Sequence, residues 1–149
     1  MAADLPENYE KFPQPFQFIK DVPTDWADTR VLNGEVGDYV TFARKDRAGD
    51  DWYIGAITDE NPRALRVSLG FLDEKKRYTA TIYRDGPGAG FAGDPKSIVI
   101  ETRPVSRNDY LTLELAPGGG QAIRIAAPGA KKVRKRPPPP KPQPEFDVE

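Results

Sequence analysis

Leu65, Val67 and Leu69 point to one side of their segment while Arg66 and Ser68 point to the other, the period-two pattern of a half-buried strand. Tyr78, Ala80 and Ile82 alternate in the same way with Thr79, Thr81 and Tyr83, and Leu111, Leu113 and Leu115 repeat the pattern once more. Further strands are predicted at 38–45, 52–58, 97–102 and 120–126. The stretches between them, such as DENPR, GPGAGFAGDP and APGGG, carry turn chemistry. About seven to eight short strands with no helical period between them predict an antiparallel β-sandwich, with a small barrel as the alternative.

Both ends depart from this pattern. The first 30 residues read as an irregular, aromatic-rich segment with prolines at 6, 13, 15 and 23, in which only Phe16 to Val22 suits a short helix. Phe12, Phe16, Phe18, Ile19 and Trp26 are too apolar for a free tail and need a surface to pack on. At the other end, KKVRKRPPPPKPQPEFDVE enforces polyproline II and offers no core residues, so the tail is expected to be disordered.

Composition narrows the chemistry. The chain has 149 residues, 16 prolines, 13 glycines, and neither histidine nor cysteine. That excludes helical bundles, disulfides, thiolate or imidazole metal sites and histidine-based nucleophilic catalysis. No run approaches the roughly 20 apolar residues of a membrane helix, and the N-terminus lacks the basic and apolar segments of a signal peptide. The net charge of −1 hides a split: residues 131–149 carry six Lys/Arg against three Asp/Glu, leaving the body acidic. An acidic body is not a nucleic-acid footprint.

Four patterns invite a functional reading. Gly88-Ala89-Gly90-Phe91-Ala92-Gly93 matches G-x-G-x-x-G, but a phosphate loop must open a helix, and Asp94-Pro95 leads into the β-run SIVIET, so a long hairpin loop is expected. The acid pairs Asp50/Asp51 and Asp59/Glu60 are adjacent residues beside strands, poorly placed to grip two faces of a sugar, and read as turn residues. Asp25, Trp26 and Asp28 form a better sugar-contact candidate, an aromatic face beside acceptors, against a packing role for Trp26. Arg134 to Pro140 matches the R-x-x-P-x-x-P form taken by SH3 grooves, against a solvated basic tail.

With these residues laid out, the chain resembles the C-terminal part of glycoside hydrolase family 97, bacterial α-glucosidases and α-galactosidases. The similarity runs through MAADLPENY, FIKDVPTDWADTRVLNGEVGDYVTFARKD, DDWYIGAITDENPR, FLDEKKRYTATIYRDG and LAPGGGQAIRI, covering about residues 1–126 in family order. Members of that family combine an N-terminal β-sandwich, a (β/α)8 catalytic barrel and a C-terminal β-sandwich linked to oligomerisation. The resemblance implies that residues 1–27 are the end of the barrel, with Met1 falling inside it, that 28–127 are the terminal sandwich, and that 128–149 lie outside the family pattern. The family's catalytic carboxylates and calcium-binding glutamates would lie upstream, leaving this chain no catalytic residue, no metal ligand and no cofactor of its own. The implied partners are the parent barrel or a second copy. A free-standing sugar-binding or interaction module is the alternative, and it would show an exposed aromatic platform among Trp26, Trp52, Tyr53 and Phe91.

Overall fold

The computed structural model describes residues 5–90, 93–94 and 96–129. Phe91, the R-x-x-P-x-x-P run and the tail from residue 130 lie outside the described residues. Two short helices, α1 (Pro6–Glu10) and α2 (Pro13–Asp21), precede eight strands. These are β1 (Trp26–Glu35), β2 (Tyr39–Asp46), β3 (Trp52–Thr58), β4 (Arg63–Ser68), β5 (Tyr78–Asp85), β6 (Ile98–Val105), β7 (Tyr110–Leu115) and β8 (Gly120–Ala126). Six of them form one sheet in the order β1-β2-β3-β8-β5-β6, and β4 and β7 pair as a second. Every pairing is antiparallel.

The predicted alternation sets the core. Ile54, Ile82, Ile123 and Ile125 from the large sheet meet Val67, Leu111 and Leu113 from the small one, with Leu69 and Leu72 sealing the loop after β4. In the small sheet Leu65 lies opposite Leu113 and Val67 opposite Leu111, so the two leucine-rich runs share one inward face. Thr79, Thr81 and Tyr83 are less buried than Tyr78, Ala80 and Ile82, as the alternation requires.

Three features depart from the expectations. The N-terminal segment is more regular than its prolines suggest. Each helix starts with proline, where the missing N–H has no intrahelical partner to lose, and α2 stops at Val22 because Pro23 disfavours helical backbone before it. Secondly, Trp26–Glu35 is a strand. As the outermost strand it is covered by a neighbour on one side only, and irregularities at Trp26/Asp28 and Val31/Asn33 break the alternation that would have announced it. Thirdly, Asp51 is buried, where a surface turn was expected.

The glycine-rich loop behaves as a hairpin connection. Asp85 pairs with Ile98, and Gly88 and Gly90 take positive φ, which L residues rarely adopt. Strand β6 follows, where a phosphate loop needs a helix.

Candidate functional site

Alternation along β2, β3, β5 and β8 turns Val40, Phe42, Arg44, Tyr53, Gly55, Ile57, Tyr83, Ala122 and Arg124 away from the core, onto the outer face of the large sheet. An antiparallel sheet with a solvated outer face carries polar residues there. Here two consecutive lateral rows are entirely apolar or glycine. One runs Gly34, Val40, Ile57 and Gly120, and the next runs Val31, Phe42, Gly55 and Ala122.

Helix α2 covers part of this face. Phe18 reaches over β8, with its ring 5.0 Å from that of Tyr83 and 6.1 Å from that of Tyr53. The Tyr53 hydroxyl donates to the Asp21 carbonyl at 3.4 Å. Under this cover desolvation pushes the Tyr53 phenol up to about 12, and burial also raises Tyr83. Arg124 anchors the same end: its guanidinium donates to Asp51 at 2.8 and 3.1 Å and stands 3.9 Å from Asp21, while Asp51 also accepts the Ala127 N–H at 2.9 Å. Burial works against the Arg124 charge, but the Asp51 hydrogen bond and the surrounding negative charge raise its pKa above the usual value.

Beside α2 the face is bare. An open groove of about 580 Å³ runs past Trp26, Val40, Phe42, Gly55 and Ile57. It continues into a second depression at the β1–β2 hairpin, bordered by Val31, Gly34 and Val36. Val31 is 64% and Ile57 61% exposed. Arg44 stands at the far end with its guanidinium 5.6 Å from the Trp26 ring and 5.7 Å from that of Phe42, and it has no carboxylate partner among the described residues.

The three sugar-contact candidates are split. Asp25 and Trp26 meet on Arg47, which donates to Asp25 Oδ1 at 2.8 Å and to the Trp26 carbonyl at 2.6 Å. Trp26 lies edge-on to Tyr53 at 5.7 Å. Its register partner is Asp46 and that of Asp28 is Lys45, so the irregularity between them sends the two side chains to opposite faces. Asp28 pairs with Arg30 at 2.8 Å, and Arg30 in turn caps the Trp52 ring. Of the proposed platform, Trp52 is 4% and Tyr53 7% exposed, the former packed on Phe71 at 4.6 Å.

Asp50 and Asp59, from the two predicted acid pairs, serve local structure. Asp50 bonds Lys76 and Lys45, and the hydrogen bond and charge of Lys76 hold its carboxyl below the usual range. Asp59 is lowered chiefly by the Asn61 backbone N–H and also receives Arg63. Among the described residues no three acids gather as a metal site, and no helix is long and apolar enough to cross a membrane. Sequence reasoning passed over Arg124; its signal is a lone charge between Ile123 and Ile125 on an outward position.

Comparison with known proteins gives a consistent set of relatives. The sequence model of the family described as "Glycosyl-hydrolase 97 C-terminal, oligomerisation" matches residues 25–126. The retaining alpha-galactosidase of Bacteroides thetaiotaomicron is 41% identical over 125 residues, covering 84% of this chain and 18% of that protein. A probable retaining alpha-galactosidase of Streptomyces bingchenggensis is 30% identical, covering 80% of this chain and 17% of its own length. The chain therefore spans less than a fifth of either relative. Among solved structures, a glycoside hydrolase family 97 enzyme from Pseudoalteromonas sp. strain K8, in complex with acarbose, superposes with a TM-score of 0.82 at 52% identity, covering 85% of this chain and 20% of that one. A beta-arabinopyranosidase superposes at 0.64 with 31% identity, covering 82% and 18%.

Proposed function

The chain belongs to the family of C-terminal oligomerisation domains of family 97 glycoside hydrolases, and from that premise we propose that it performs no hydrolysis itself and serves as an assembly domain for an upstream α-glycosidase. The upstream reaction is hydrolysis of an α-glucoside or α-galactoside, and α1 and α2 are the last elements of the catalytic domain leading into the sandwich. The observation that carries this reading is the outer face: two apolar rows and an open groove where a solitary domain would present polar residues. Glycoside hydrolysis needs two carboxyls about 5–10 Å apart across the bond, in a cleft that excludes water. The candidate acids Asp25, Asp28, Asp50, Asp51 and Asp59 are already engaged in ion pairs within the chain.

The competing reading is a sugar-binding module centred on Trp26. Calorimetric titration with maltose and with melibiose separates the two. The assembly reading expects no saturable heat. Saturable binding weakened by Trp26→Ala moves the assignment to a sugar-binding module.

A further inference from the structure

We infer that the bare half of the outer face is a seat for one amphipathic helix of the preceding catalytic domain, lying alongside α2, with a carboxylate set against Arg44. This deepens the assembly reading and rests on it.

The occupant follows from where the chain comes from. The relatives are between five and six times as long as the matched region, and the matched region is their C-terminal part. Chain arriving from upstream passes through α1 and α2, and α2 already lies on this face through Phe18. The uncovered rows continue from beneath α2 without a polar interruption, so the next upstream surface to reach the sheet meets apolar floor.

Dimensions select a helix. The bare floor spans β1, β2 and β3, two strand spacings or about 10 Å, which is the width of one helix with its side chains. The groove itself runs on from the Val40 and Phe42 rows past Arg44 to Trp26, six residues of strand or roughly 20 Å, matching about 13 residues of helix. Gly55 in the middle carries no Cβ, and a side chain placed there would meet nothing within 4 Å, so the floor is open at its centre. A strand added at the edge fits less well, because the two irregularities in β1 break its ladder.

Chemistry at the end of the groove adds the polar term. Arg44 is exposed, is fixed over Trp26 and Phe42, and lacks a carboxylate among the described residues. A Glu or Asp near one end of the incoming helix satisfies it and sets the direction in which the helix lies.

The test uses the full chain and the upstream part of the Bacteroides alpha-galactosidase, made without its matching C-terminal region. That protein's own C-terminal region serves as the positive control. Binding is read by sedimentation velocity and calorimetry. The chain is expected to bind; Val31→Asp and Ile57→Asp, both at exposed positions that leave the circular dichroism unchanged, are expected to weaken binding at least tenfold, and Arg44→Glu to weaken it measurably. Tyr110→Asp, on the small sheet, is expected to have no effect. The inference is overturned if the control binds and the chain does not, or if binding survives Val31→Asp and Ile57→Asp. It is equally overturned if the chain alone forms a dimer that Ile57→Asp dissolves, since the face then belongs to a second copy. Sugar binding or turnover by this chain alone would contradict the assembly reading while leaving the helix seat to stand or fall on these variants.

Discussion

Arg124 on β8 donates two hydrogen bonds, of 2.8 and 3.1 Å, to a single oxygen of Asp51, 73 positions earlier in the chain. The other Asp51 oxygen takes the Ala127 N–H, so one carboxylate closes the end of β3 against the exit of β8. Replacing Arg124 by Leu leaves that carboxylate buried without its cation. We expect a loss of roughly 3 kcal/mol, the low end of the range for breaking a buried pair, because Arg124 is partly exposed. The double variant Asp51→Leu/Arg124→Leu is expected to lose less than Arg124→Leu alone. Chemical denaturation of the three variants measures both, and a double variant weaker than the single one contradicts the pairing.

Leu113 lies at the centre of the core with no exposed surface. Leu113→Ala is expected to cost about 2–5 kcal/mol. An unchanged denaturation midpoint would refute the register of β7 against β4.

The Tyr53 phenol predicts a loss of stability in alkali. Its pKa rises from an ordinary 10.0 to about 12 in the folded protein. Between those values the folded state keeps a proton that the unfolded state releases, so stability is full below pH 10 and falls as pH rises toward 12. The fall amounts to roughly 3 kcal/mol for this residue. Tyr53→Phe is expected to flatten the alkaline limb; a limb of unchanged steepness would show that the phenol is not buried as described.

Starting the chain at Asp25 removes the cover over Tyr53 and Tyr83 but no strand residue. The truncated protein is expected to keep its β-sheet circular dichroism, to bind more hydrophobic dye, and to titrate its tyrosines nearer the ordinary value. Loss of the β signal would make the helical lead-in part of the sandwich core.

The two leucine runs and the Tyr78–Tyr83 alternation made the sandwich legible in the sequence, because each is buried on one face and exposed on the other. Edge strand β1 has no such contrast, and its irregularities erase the period. The same local break hid how the sugar-contact candidates are arranged. Residues two apart on a regular strand share a face, and Trp26 and Asp28 do not. The apolar rows on the outer face were also hidden. Their members come from four strands, and each strand shows only two of them, so the rows exist only once the register is known.

The proposed assembly role makes this domain a support for an upstream glycosidase rather than a catalyst. Its most direct test is hydrolysis of aryl α-glucosides and α-galactosides by the purified chain, with and without calcium. The account predicts no turnover above a buffer blank under any of these conditions. Turnover that Asp25→Asn or Asp28→Asn abolishes would contradict it.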